Sequence, residues 1–124
     1  MDDVTAIDKM EFIRTLRGLG ANRNLAAAVT FLAGVDEATA KDIQDGAGIS
    51  QPGVSKAMKA LRELGWLEVR EIKATGNGRP RKIYALNVSL EEVVRHFEVQ
   101  KLSESAQAMR SIERLRELAS SSSP

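Results

Sequence analysis

The sequence predicts a mainly α fold with a small β-hairpin and an extended C-terminal helix. Three observations support this fold class. Apolar residues recur at intervals of three and four through most of positions 10–64, which is the spacing of amphipathic helices. Two short runs, "WLEVREIKA" and "KIYALNV", are typical of strands, and the segment "TGNGRPR" between them is rich in turn residues. From Ser89 the helical spacing returns and continues almost to the C-terminus.

Two helices are predicted before residue 35. Phe12 and Leu16 lie on one face of the first, which is expected to end near Gly18 or Gly20. The second is rich in alanine and is expected to stop around Gly34. Because alanine side chains are small, this helix should pack closely against its neighbours.

A short third helix is predicted in "DEATAKDIQDGAG". Thr39 is a suitable N-cap, and Asp42 follows three residues later, the spacing of a capping box. Gly46 and Gly48 are expected to interrupt this helix soon after it begins.

The fourth helix lies in "GISQPGVSKAMKALRELGW" and begins with two residues that disfavour helices. Ser50 is a good N-cap, because its hydroxyl can accept a hydrogen bond from a free N–H of the first turn. Pro52 falls in that first turn, where a missing N–H costs nothing. Val54, Met58 and Leu61 form one apolar face, with Leu64 one turn further. Gly65 is expected to end the helix in a left-handed conformation.

Charge is unevenly distributed along the chain. The net charge is only +1, but residues 51–82 contain eight basic and three acidic side chains, a net charge of +5. Residues 1–50 carry a net charge of −3 and residues 83–124 carry −1. A basic middle between acidic flanks is typical of a surface that binds a polyanion, although a solvated charged face is the simpler interpretation.

The composition excludes several classes of protein. There is no cysteine, so disulfides, thiolate metal sites and thiol redox chemistry are excluded, and His96 is the single histidine. No phosphate-binding glycine loop and no cluster of His or Asp points to an enzyme, a metal site or a cofactor. The acidic N-terminus and the lack of a long apolar run predict neither a secretory signal nor a membrane span, and a cytoplasmic location is expected.

The segment "KDIQDGAGISQPGVSKAMKALRELGWLEVR" resembles the helix-turn-helix of MarR-, TrmB- and ArsR-like transcription regulators. The similar features are a Gly-hydrophobic-Ser turn at residues 48–50, a "VS" helix with basic residues at 54–56, and an "LRELG" helix end followed by Trp66. "GRPRKIYAL" is similar to the wing and second strand of such proteins. The resemblance covers residues 39–88 and implies a winged helix-turn-helix. Gln44 departs from it, since a small residue is usual there, so Gln44 either points outward or changes the helix crossing.

The resemblance implies that the fourth helix is a recognition helix that enters the major groove of double-stranded DNA with its N-terminal end. A small, flat front end would let the backbone approach DNA closely, and this would explain why Pro52 and Gly53 stand at the start of the helix. The expected contact residues on this helix are Ser50, Gln51, Pro52, Gly53, Ser55, Lys56 and Lys59. Those on the basic wing, which is expected to reach the minor groove or the backbone, are Lys73, Asn77, Arg79, Arg81 and Lys82. Trp66 and Tyr84 are expected to be core residues.

Two other functions fit the same fold class. Winged helices also serve as protein-interaction modules in transcription or replication assemblies, and such a module more often has an apolar or acidic face where this chain is basic. A non-specific architectural DNA-binding protein would share the basic surface and differ only in sequence preference. The leading hypothesis remains a sequence-specific DNA-binding transcription regulator.

The C-terminal helix is expected to hold two copies together. Its first part, through Phe97, can pack on the winged domain, whereas the second part has no core left to cover. An apolar stripe nevertheless continues along it, formed by Leu102, Ala106, Met109, Ile112, Leu115 and Leu118. The sequence therefore predicts a winged domain over residues 1–98, a dimerisation helix over 99–119, a disordered tail over 120–124, and a homodimer. The alternative is a helix that folds back on its own domain.

Overall fold

The computed structural model describes residues 8–73 and 78–122. Within these ranges the chain forms five helices and one antiparallel hairpin, which confirms the mainly α fold class with a hairpin and a long C-terminal helix. The elements in chain order are α1 (Lys9–Gly18), α2 (Arg23–Ala33), α3 (Ala40–Ala47), α4 (Gln51–Glu63), β1 (Leu67–Ile72), β2 (Arg81–Leu86) and α5 (Leu90–Ser121).

Helix α2 is the centre of the core. Seven of its eleven residues are buried, and α1, α3, α4 and β2 all pack against it. Ala26, Ala28 and Val29 are completely buried, and their small side chains let the neighbouring helices approach closely, as the sequence predicted. The buried Thr30 hydroxyl donates to the Ala26 carbonyl at 2.7 Å, so this polar group in the core is satisfied.

The predicted helix starts at Thr39 and Ser50 are confirmed. The Asp42 N–H donates to the Thr39 hydroxyl at 3.1 Å, and the Thr39 N–H donates to the Asp42 carboxylate at 3.0 Å, which completes a capping box. The Ser50 hydroxyl accepts from the Gly53 N–H at 3.2 Å. The expected interruption of α3 at Gly46 is wrong: the helix continues through this residue to Ala47. Gly65 follows α4 with a φ of 76°, the left-handed conformation predicted there.

The expectation that Gly53 lies on the DNA-contacting face of α4 is wrong. The residue is buried on the inner side of the helix, together with Val54, rather than on the face expected to meet DNA. A Cβ at this position would lie 3.1 Å from the Asn24 Oδ1 on α2. The absence of a side chain therefore serves the close packing of α4 on α2. Gln44 points outward on α3, which decides between the two possibilities for that residue.

Strand β2 of the hairpin also forms an isolated β-bridge with Ala38, which the sequence did not predict. Val69 of β1 lies opposite Tyr84 of β2 in the antiparallel register. On the other edge of β2, the Ala38 N–H donates to the Tyr84 carbonyl at 2.9 Å, and the Tyr84 N–H donates to the Ala38 carbonyl at 2.8 Å. Strand β2 is therefore held on both sides, and the residue pair Ala38–Tyr84 ties it to the start of α3.

Trp66 joins the hairpin to α5 and is a core residue, as predicted. Its carbonyl accepts from the Asn87 N–H at 2.9 Å, just before α5 begins. The His96 ring meets the Trp66 ring edge-on with centroids 5.1 Å apart, while Val93 and Phe97 of α5 are buried in the core. The first two turns of α5 are therefore packed on the winged unit.

Beyond Phe97, α5 projects away from the rest of the chain. Every side chain from Glu98 to Ser122 is exposed, including Leu102 at 64% and Leu115 at 65%. The helix continues to Ser121, so residues 120 and 121, which were expected to belong to a disordered tail, are helical. The Ser121 hydroxyl donates to the Glu117 carbonyl at 3.0 Å within this last turn.

The packing of Gly53 on Asn24 predicts a coupling between these two positions. Alanine favours a helix over glycine by up to about 1 kcal/mol. In the parent chain we expect Gly53→Ala to gain little of this, because the new methyl group forces the Asn24 amide to shift. In an Asn24→Ala background the same substitution should be stabilising. Urea titrations of the four chains measure the coupling free energy, and a value within about 0.3 kcal/mol of zero would contradict the packing account.

Candidate nucleic-acid interface

A basic groove runs between the outer face of α4 and strand β2. It has a volume of about 410 Å³ and is open to solvent. Three cations line it, with one carboxylate: the lining residues are Ser55, Met58, Lys59, Arg62, Glu63, Lys82 and Tyr84. We call this feature the α4–β2 groove. Its excess of positive charge along a concave surface is suited to a negatively charged chain.

A second groove lies beside the first, between β2 and the start of α3. It has a volume of about 500 Å³ and is lined by Thr39, Ala40, Lys41, Asp42, Arg81, Lys82 and Tyr84. We call it the α3–β2 groove. Lys82 and Tyr84 line both grooves, so the two form neighbouring parts of one surface that is centred on β2.

The outer face of α4 presents most of the residues that the sequence predicted. Ser50, immediately before the helix, is exposed, and so are five of the six predicted residues within it, Gln51, Pro52, Ser55, Lys56 and Lys59. Ser55 and Lys59 reach the α4–β2 groove. Gly53 is the exception, because its position is buried against α2. The helix thus has one buried apolar stripe, which fixes the direction in which its polar side chains point.

Four of the five predicted wing residues lie within the described part of the chain. Lys73, Arg79, Arg81 and Lys82 are all exposed, whereas Asn77 lies outside the described residues. The structure brings Arg81 and Lys82 together with the helices, because these two line the grooves. Lys73 directly follows β1 and Arg79 lies two residues before β2, and neither lines these two grooves.

Lys41 and Arg62 are two basic residues of this surface that the sequence reasoning missed. Arg62 lies seven residues after Ser55 and three after Lys59, so helical spacing alone would have placed it on the same face. Lys41 had no such signal. It reaches the surface because the Ala38–Tyr84 pair holds the start of α3 beside β2.

Not every charge in the basic middle of the sequence contributes to this surface. The Arg70 guanidinium donates to both carboxylate oxygens of Glu37 at 2.7 Å, so its charge is already paired. Asp42 places a negative charge in the α3–β2 groove. Hydrogen bonds from the Thr39 backbone N–H and side chain lower the pKa of Asp42, so this carboxyl is ionised at neutral pH and faces Arg81 and Lys41.

No group of three or more His, Cys, Asp or Glu side chains in residues 8–73 and 78–122 is arranged to hold a metal ion. Nor is any helix in these ranges long and apolar enough to cross a membrane.

Comparison with known proteins identifies the fold. No protein-family model matches the chain, and no curated protein sequence matches it either. Among solved structures, a possible transcriptional regulator from Methanosarcina mazei Go1 is similar with a TM-score of 0.53 and 17% identity, over 87% of this chain and 86% of that chain. NadR, solved in complex with 4-hydroxyphenylacetate, is similar with a TM-score of 0.51 and 17% identity, over 90% of this chain and 77% of that chain.

A further solved transcriptional regulator has a TM-score of 0.51 and 17% identity, over 91% of this chain and 74% of that chain. At such low identity these likenesses carry the fold and not the function. The helix-turn-helix with a hairpin wing, which the sequence indicated by resemblance, is confirmed as the fold. It is a fold that solved transcriptional regulators share.

Proposed function

We propose that this chain is a sequence-specific regulator of transcription that binds double-stranded DNA. The observation that carries the proposal is the α4–β2 groove, where the polar face of one helix and the basic strand of the hairpin line the same concave surface. In the proposed complex the N-terminal half of α4 lies in the major groove, and the hairpin tip lies on the backbone or the neighbouring minor groove.

Base recognition is proposed for the first turn of α4. Gln51 is exposed at the first helical position, and its amide can donate to and accept from an adenine edge at the same time. Ser55 lies one turn further on the same exposed face and has a hydroxyl that can donate or accept. These short polar side chains can approach base edges because the inner face of α4 is packed on α2 and holds the helix in place.

Phosphate binding is proposed for the basic residues that line the two grooves. Lys59, Arg62 and Lys82 line one groove, while Lys41 and Arg81 line the other. The amino group of lysine is a compact charge that contacts a phosphate without the paired geometry that reads a base. This division gives the first turn of α4 the reading of sequence and gives the basic residues of the two grooves most of the affinity.

A homodimer is the second part of the proposal. One recognition helix covers only a few base pairs, so specific regulators usually bind two half-sites related by a two-fold axis. The projecting half of α5 supports this arrangement, because its large apolar side chains are exposed in the single chain. A stripe of this size is unusual on the surface of a monomer.

The proposed role of Gln51 predicts a loss of discrimination. Gln51→Ala should reduce the preference for one base pair in each half-site by about 1–3 kcal/mol, because the paired hydrogen bonds to a base edge are lost. Fluorescence anisotropy on a duplex selected by the parent chain, and on its single-base variants, measures this preference. An equal loss of affinity for every duplex would refute the reading role.

The proposed role of the wing predicts a different change. Arg79→Ala and Arg81→Ala should each weaken binding to all duplexes and reduce the slope of log affinity against log salt by about 0.9, because each removes about one phosphate contact. Arg14→Ala is the matched control, since Arg14 is exposed on α1. A salt slope unchanged by both wing substitutions would show that the hairpin does not contact DNA.

The proposed role of α5 predicts that its distal part is required for assembly. A chain that lacks residues 100–124 should be a monomer and should lose tight binding to two half-sites, because the exposed apolar stripe is removed while the core contacts of Val93 and Phe97 remain. Light scattering and anisotropy measure these two properties. An intact chain with a mass near 13.5 kDa at micromolar concentration would refute the dimer.

A further inference from the structure

Helix α5 contains a heptad seam that begins where the helix still packs on the winged unit. Starting at Glu92, positions separated alternately by three and four residues fall on one side of the helix. The seam residues are Glu92, Arg95, Val99, Leu102, Ala106, Met109, Glu113 and Arg116. Because α5 is continuous from Leu90 to Ser121, all eight lie on a single helix.

The seam is accessible along its whole length. All eight residues are exposed, and Val99, Leu102 and Met109 are exposed by 58%, 64% and 60%. The residues that pack on the winged unit, Val93 and Phe97, lie on a different side of the helix. A second helix can therefore lie along the seam from end to end without displacing the winged unit.

The seam has opposite charges at symmetric positions about residue 104. Reversal of the helix about that point places Glu92 opposite Arg116 and Arg95 opposite Glu113. None of these four residues forms an ion pair within the described part of the chain. In a parallel, in-register pair the same four positions would meet their own copies, and every one of these contacts would join like charges.

The apolar part of the seam is complementary under the same reversal. Leu102 is then opposite Ala106, which places a large side chain against a small one, and Val99 is opposite Met109. The midpoint at residue 104 is also close to the middle of the helix, which runs from Leu90 to Ser121. An antiparallel pair about this point therefore overlaps over nearly the full length of α5.

We propose that two copies of this chain associate through α5 as an antiparallel helix pair centred on residue 104, closed at each end by the Arg95–Glu113 and Glu92–Arg116 contacts between copies. The inference rests on the dimer under the proposed function and specifies its geometry. Ile112 lies at the edge of the seam, while Leu115 and Leu118 lie outside it and stay uncovered by the pair. The stripe predicted from the sequence is thus divided between two sides of the helix.

Disulfide cross-linking tests the orientation, and the chain has no cysteine that would interfere. Val99→Cys and Met109→Cys are introduced together in the full chain. Ten residues of helix separate these positions by about 15 Å, too far for a disulfide within one chain. After mild oxidation, peptide mapping should find only the linkage between position 99 of one copy and position 109 of the other. Linkages of 99 to 99 or 109 to 109 would overturn the inference.

Light scattering on the parent chain, which retains Val99 and Met109, separates the failure of this inference from the failure of the proposed dimer. If the chain is a dimer but does not cross-link between positions 99 and 109, the proposed homodimer stands and the antiparallel pair is overturned. A monomer overturns both, and DNA binding by such a monomer would leave the proposed contact surface intact. Leu115→Cys alone is the control, because Leu115 lies outside the seam, and it should give no cross-linked dimer.

Charge reversal gives a second, independent test. Arg95→Glu and Glu113→Arg should each weaken dimerisation roughly tenfold, because two attractive contacts per dimer become repulsive. The double variant should return to within about twofold of the parent, because each new glutamate then faces a new arginine of the other copy. Sedimentation equilibrium measures these dissociation constants. Single variants without effect, or a double variant weaker than either single one, would overturn the pairing.

Discussion

The packing of α4 on α2 is the contact on which the other features of this molecule depend. Helix α2 is largely buried and rich in alanine, so α4 can approach it until Gly53 meets Asn24. The apolar stripe of α4 packs on α2, α3 and β1, which leaves a single direction for its polar stripe. The same core receives the first turns of α5. The orientation of the proposed reading face and the point from which α5 projects are consequently set by one cluster of small and medium-sized apolar residues.

Strand β2 lies at the centre of the surface that contains the two grooves. It pairs with β1 along one edge and with Ala38 along the other, so it is held more firmly than a strand in an isolated hairpin. Lys82 and Tyr84 consequently lie between α3 and α4 and line both grooves. The bidentate pairing of Arg70 with Glu37 adds a further link between β1 and the segment before α3. A basic hairpin fixed in this manner can present charge at a defined distance from a helix.

Much of this arrangement could be predicted from the sequence, and the physical reasons for the failures differ. Helical periodicity, N-caps and turn residues predicted the order of the elements, and three of the predicted basic residues, Lys59, Arg81 and Lys82, line the two grooves beside β2. The Ala38–Tyr84 pair has no sequence signal, because one residue cannot show alternation. The orientation of Gly53 depends on its tertiary contact with Asn24, which lies far away in sequence. Ser120 and Ser121 appeared unstructured by composition, whereas backbone hydrogen bonds continue the preceding helix through them.

The surface formed by α4 and β2 is proposed to read DNA sequence. Selection of bound fragments from a random pool of duplex DNA at physiological salt tests it most directly. The intact chain should enrich a motif with two-fold symmetry. Recovery of bound fragments without any enriched motif would contradict sequence recognition, and recovery of no DNA would contradict the assignment of this surface to nucleic acid altogether.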